Sequence, residues 1–147
     1  MRWLLLDEVL SIKKNSKVCA LARVPAQTVS AEPLLMEMMA QTGGLLLGAE
    51  SDFQEDIIFA KIETADFFDP YPGEELRIEA SSGGLRPEGS WIDAVIETRD
   101  GKKVAQSRFL LVGVGRLDPA VQRPIVFHEA FMKHFRIREK IKERAAR

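Results

Sequence analysis

Cysteine and histidine are almost missing from this 147-residue chain, which has one of the first and two of the second. The lone thiol, Cys19, rules out a disulfide framework and a thiolate metal cluster. It sits in an apolar alternating run, where a small buried hydrophobe is the expected role. His128 and His134 stand six residues apart near the C-terminus with no local acid arranged for tetrahedral ligation, so no metal is expected. Net charge is missing too: 21 Lys and Arg against 22 Asp and Glu leave −1, which brings no affinity for nucleic acid or membrane. The apolar start Trp3-Leu4-Leu5-Leu6 breaks at Asp7-Glu8, too soon for a signal-peptide core, and a cytoplasmic protein is the default expectation. No glycine-rich phosphate loop follows a strand, no Ser-His-Asp pattern is legible, and no repeat or low-complexity segment occurs. No cofactor is expected.

What is present is the composition of one soluble domain, 46% hydrophobic and 29% charged, large enough to bury a core. Its organising stretch is Ser30 to Gly48, SAEPLLMEMMAQTGGLLLG. Leucines and methionines leave no polar stripe wide enough for a surface helix, and a helix apolar all round belongs inside a protein. The segment is too short for a membrane span. Ser30 is the expected N-cap, with Pro33 in the first turn. Gly43-Gly44 signals close approach of another backbone. The oddity is Glu37, with Gln41 one turn on, where i,i+4 spacing brings both side chains within hydrogen-bonding reach. A carboxylate in apolar surroundings is paired, protonated or placed at a cleft. It reads either as a Glu–Gln pair touching water at a helix edge or as a group tuned for proton transfer.

Around that helix the pattern is mostly strand. Residues 3–12 read as strand or short helix, and Lys17–Val24 as a strand. Ile57–Ile62 is a nearly continuous apolar strand, and Leu76–Ser81 alternates as a half-buried one. Asp69-Pro70-Tyr71-Pro72-Gly73-Glu74 is the strongest turn signal. Trp91–Thr98 and Lys103–Val114 flank Asp100-Gly101, a hairpin signature. This order favours an α+β fold, a curved antiparallel sheet wrapped around the central buried helix. Charge is uneven: twelve acids against Lys61 and Arg77 between Glu32 and Glu79, and seven Lys or Arg against Glu139 and Glu143 from Lys133 on. After a linker bracketed by Pro119 and Pro124, residues 126–147 read as a basic amphipathic helix with Phe127, Phe131, Phe135 and Ile141 near one face. Residues 1–117 are then the body and 118–147 the linker and tail.

Four segments, WLLLDEVL at 3–10, LLMEMMAQTGG at 34–44, FAKIETADFFDPYPGEELRIE at 59–79 and GSWIDAVIETRDGKKVAQSRFLL at 89–111, occur in a familiar order and spacing. Together they resemble the 3-hydroxyacyl-(acyl-carrier-protein) dehydratase family of hotdog-fold proteins, over roughly residues 3 to 114. The resemblance implies dimers whose sheets join edge to edge, acyl tunnels at the dimer interface, and acyl chains delivered on a phosphopantetheine arm. It implies a histidine from one subunit that removes the α-proton, and a carboxyl group on the other subunit's central helix that protonates the departing 3-hydroxyl. By motif that carboxyl is Glu37, with Gln41 its hydrogen-bonding neighbour. Pro33, Leu34, Met38 and Phe59 are expected to line the acyl pocket.

The chain departs from the family where the histidine should be. The connection Pro25-Ala26-Gln27-Thr28-Val29-Ser30-Ala31-Glu32 is shorter than the family's loop and has no histidine, and none occurs before His128. Proton abstraction α to a thioester needs a base within hydrogen-bond reach, and losing one commonly forfeits ~10²–10⁴-fold. Three expectations follow. The chain is an acyl-thioester-binding member of the dehydratase family whose dehydration is weak or depends on a related subunit in a heterodimer. Or it is a thioesterase acting on acyl-CoA or acyl-ACP through Glu37. Or it is a non-enzymatic module whose basic tail contacts an acidic carrier protein. A homodimer or higher oligomer is expected, with no nucleic acid and no membrane span.

Overall fold

A computed structural model describes residues 5–26, 28–68, 73–86, 88–120 and 124–142. The elements in chain order are β1 (Glu8–Lys13), β2 (Lys17–Arg23), α1 (Glu32–Glu50), β3 (Ile57–Phe67), β4 (Glu75–Ser81), β5 (Ser90–Thr98) and β6 (Lys103–Gly113), followed by α2 (Glu129–His134), α3 (Ile137–Lys140) and β7 (Ile141–Lys142). They form one seven-stranded sheet in the order β3-β6-β5-β4-β2-β1-β7. Every pairing is antiparallel except that of β7 with β1.

Period-two alternation decides which face α1 covers. Val18, Ala20 and Ala22 of β2, Leu76, Ile78 and Ala80 of β4, and Ile92 and Ile96 of β5 are buried, as are Phe109 and Leu111 of β6. Against them α1 sets Leu35, Met38, Met39, Leu45 and Leu46, all without exposed surface. Each such side chain contributes about 1.5–3 kcal/mol of burial. The intervening residues make the outer face polar, where Arg108 lies 2.9 Å from Glu63 and 5.5 Å above the Trp91 ring. Gly43 explains how the helix backbone comes so close to the sheet: a Cβ there would sit 3.0 Å from Ile92 and from the Phe109 ring. At the β5–β6 hairpin Gly101 takes φ +86, as the Asp-Gly turn requires.

Two expectations are corrected at helix ends. α1 starts at Glu32 with Ala31 as its N-cap, and no side chain caps it; Ser30 lies one residue too early, and Glu32 supplies the acidic first turn that favours a helix N-terminus. The tail is not one helix. Arg136 takes φ +52 between α2 and α3, and Ile141 then joins β1 as a strand. Phe131, Phe135 and Ile137 are all buried. In a continuous helix Phe135 and Ile137 would point about 200° apart, so the left-handed residue lets both reach the core. The end of the expected tail helix (143–147) and most of the Asp69–Gly73 turn lie outside the described residues.

Candidate functional site

The sheet and the tail do not cover all of α1. Pro33 and Glu37 are exposed, and Leu34, Met36, Ala40, Gln41 and Gly44 are half-buried, forming one uncovered face along the first two-thirds of the helix. Glu37 is the acid of that face. The Gln41 amide, Nε2, donates to Glu37 Oε1 at 3.0 Å, and Gln41 Oε1 accepts from the backbone N–H of Leu5 at 3.0 Å. The second bond fixes the first: with its oxygen engaged by Leu5, the amide can only turn its NH₂ toward the carboxylate. The sequence shows the Glu–Gln spacing but not the backbone group, 36 residues away, that orients the pair.

The other expected site residues divide. Pro33 and Leu34 lie on the same face, one turn toward the helix start. Met38 does not: it is fully buried with the core, because it lies about 100° around the helix from Glu37. Phe59 is on β3, 41% exposed, and stacks at 5.4 Å on Phe109, whose ring also abuts Gly43. Phe59 is thereby linked to the helix through one intermediate ring.

The histidines stand at the other end of α1. His128 is the N-cap of α2, its Nδ1 accepting from Phe131 N–H at 3.1 Å, and His134 packs edge-on against Phe135 at 4.7 Å. Their segment docks at Gly48 through Phe127, eleven residues and about 16 Å of helix away from Glu37. Within one chain no imidazole approaches the carboxylate. The Pro25–Glu32 connection supplies none, turning instead on a Thr28 N–H to Pro25 carbonyl bond of 3.1 Å.

β3 is the other unfinished surface. Among the described residues it ends the sheet and pairs with β6 alone, and it exposes nine of its eleven residues, including Ile58 (39%), Phe59 and Ile62 (43%). A long apolar edge with unpaired backbone groups is a template for another strand. Hollows on the outer sheet face, around Glu79, Asp93 and Arg108, and beside the tail, around Phe53, Phe127 and Arg138, do not include Glu37. Among the described residues no three His, Cys, Asp or Glu side chains cluster as metal ligands, and no helix is long and apolar enough to cross a membrane.

Asp56 was not singled out by the sequence, where it closes the acidic run Glu50–Asp56. It has no exposed surface. Oδ2 accepts from Leu117 N–H at 3.0 Å and Oδ1 from Val126 N–H at 2.8 Å. This carboxylate ties both ends of the linker to the body.

No protein-family profile matches the chain. The bifunctional enzyme LpxC/FabZ of Chlorobaculum tepidum is 29% identical over 106 residues, taking in 63% of this chain and 23% of that protein. The chain therefore spans less than a quarter of the curated relative it matches. Among solved structures, a hypothetical thioesterase of Streptococcus pneumoniae TIGR4 with coenzyme A superposes with a TM-score of 0.62 at 14% identity, covering 74% of this chain and 85% of the other. The PaaI protein of E. coli, from the phenylacetic acid degradation operon, gives 0.61 at 18% identity over 74% and 79%. The smu.793 protein of Streptococcus mutans UA159 bound to acetyl CoA gives 0.62 at 14% identity over 74% and 88%. This is a hotdog fold. In this hotdog chain α1 is the central helix, and β3 is the free sheet edge.

Proposed function

We propose that this hotdog protein binds acyl thioesters along the uncovered face of α1 and hydrolyses them, with Glu37 as general base. The observation that carries this reading is the relay Leu5 N–H to Gln41 to Glu37, which holds an accessible carboxylate in one orientation with no imidazole beside it. Hydrolysis needs one such group. The Glu37 carboxylate takes a proton from a water as the water oxygen attacks the thioester carbonyl carbon. The C–S bond then breaks, and the departing sulfur recovers the proton from Glu37, leaving a free acid and a thiol. A positioned base of this kind contributes typically ~10²–10⁴-fold. Gln41 is a positioning residue, since its amide orients the carboxylate without reaching the thioester. Two copies joined edge to edge along β3 would bring Phe59 and Ile62 out of water and put a second chain over the face that one chain leaves open. The coenzyme A-bound and acetyl CoA-bound structures among the fold neighbours favour coenzyme A as a carrier, and an acyl carrier protein presents the same thioester.

The second reading is dehydration of 3-hydroxyacyl thioesters, favoured by the 29% likeness to the LpxC/FabZ enzyme. There Glu37 would protonate the leaving hydroxyl, and a related subunit would have to supply the base. One assay separates the two. The purified protein is offered saturated acyl-CoA and 3-hydroxyacyl-CoA of equal length, with thiol release and enoyl absorbance followed together. Thiol release from both substrates without enoyl formation is expected. Enoyl formation without thiol release replaces hydrolysis with dehydration, and neither signal removes both.

A further inference from the structure

We propose that Phe127 is the end-stop of the acyl lane and sets the longest chain the protein accepts, a proposal that rests on Glu37 being the reacting end of that lane. Glu37, Gln41, Gly44 and Gly48 fall on one line of the α1 surface, because steps of four, three and four residues each return close to the same azimuth. The four positions have different surroundings. Glu37 and Gln41 carry the relay. A Cβ placed on Gly44 would meet no atom of the described residues within 4 Å. A Cβ placed on Gly48 would lie 2.7 Å from Cζ and 2.8 Å from Cε2 of Phe127, and 3.0 Å from Phe53. Gly44, about 10 Å from Glu37 at 1.5 Å per residue, is open among the described residues, and Gly48, about 6 Å farther on, is shut.

Gly44 is the telling position. Glycine inside a helix weakens it relative to alanine. At Gly43 and Gly48 that weakness is offset by rings packed where a side chain would be, but among the described residues Gly44 has no such neighbour. An apolar chain passing over the backbone, on the line that begins at the carboxylate, accounts for the missing side chain. The stop itself is firmly held. Phe127 is buried, with Phe53 edge-on at 5.1 Å and Phe131 at 5.9 Å. The residue before it, Val126, is bonded to the buried Asp56 carboxylate. The barrier is therefore apolar, and a terminal methyl meets it without stranding a polar group.

The test is titration calorimetry of the full chain with non-hydrolysable coenzyme A thioethers carrying butyl, octyl and dodecyl chains. For the parent, affinity rises from butyl to octyl and gains nothing further at dodecyl. Phe127→Ala tightens dodecyl about tenfold or more and leaves butyl unchanged, since each added methylene can then be buried. Gly44→Leu, whose side chain enters the open space, weakens octyl and dodecyl by a similar factor and spares butyl. The two changes act in opposite directions and do not depend on each other, so failure of Phe127→Ala to fold leaves Gly44→Leu as the deciding variant. Unchanged chain-length profiles, with Glu37→Gln still abolishing hydrolysis, overturn the end-stop and leave the Glu37 site standing. An unchanged profile with a broken dimer in Gly44→Leu assigns the space to a second copy and also overturns it. No binding of any thioether by the parent overturns the lane and the site together.

Discussion

The two halves of α1 are built to opposite specifications. From Leu45 to Ala49 every residue is buried, with Phe127 of the tail and Phe53 of the following loop packed against Gly48. From Glu32 to Gly44 the same helix is buried on its sheet side, and its other side, exposed or half-buried, carries a carboxylate, an amide and a glycine with open space beside it among the described residues. One helix is thus core at one end and partly exposed surface at the other. The sheet repeats the contrast, since the tail strand β7 covers the β1 edge whereas no strand of the described residues covers the β3 edge. The residues beyond the hotdog body thus close one end of α1 and one edge of the sheet, and leave the first two-thirds of the helix face and the β3 edge exposed.

That contrast can be broken by substitutions on either side of it. Glu37→Gln, in the open half, is expected to lower thioester hydrolysis by ~10²–10⁴-fold while the melting temperature stays put; hydrolysis kinetics and a thermal melt check it, and equal rates would end the general-base role. Leu46→Ala, in the sealed half, is expected to cost about 2–5 kcal/mol in urea unfolding, with activity per folded molecule retained. Asp56→Ala orphans the Leu117 and Val126 amides, at about 1–3 kcal/mol for each left unsatisfied; hydrogen exchange should then speed up in the tail before the sheet. Gly44→Ala should stabilise the chain by about 0.5–1 kcal/mol, because its Cβ meets open space. A lowered melting temperature there would mean that another copy packs on that spot. The smallest effect belongs to a control away from both halves. Asp100, fully exposed in the β5–β6 turn, has its carboxyl held below the ordinary range, first by the Thr98 hydroxyl and then by its own backbone N–H. A depressed carboxyl stabilises above its unfolded pKa and loses that contribution as pH falls through the folded value. Thr98→Val should therefore raise the Asp100 pKa in an NMR titration and flatten the acid end of the stability curve, leaving both halves of α1 untouched.

The strands and the central helix were legible because their periodicity is local: Leu76-Ile78-Ala80 alternates within one strand, and the Leu and Met run declares a buried helix within a few turns. The Glu37–Gln41 pair was legible for the same reason, lying one turn apart. What escaped depends on partners far along the chain. Gln41 is oriented by Leu5, 36 residues away, and Asp56 holds Val126, 70 residues away. Composition alone made Asp56 look like one more solvated acid. A helix apolar on all sides does not announce which side faces the sheet, so the burial of Met38 against the core is not legible from the sequence. The tail's phenylalanines recur every four residues and so point to one helix; the burial of both Phe135 and Ile137, which needs a left-handed residue between them, breaks that phase.

The most direct measurement is an amide NMR titration of the ¹⁵N-labelled protein with octyl-coenzyme A thioether. Binding along the open half of α1 should move the Gln41 and Gly44 resonances strongly, Gly48 weakly, and the outer sheet face around Asp93 not at all. Shifts confined to the tail hollow around Met132 and Arg138, with Gly44 unmoved at saturation, would contradict it.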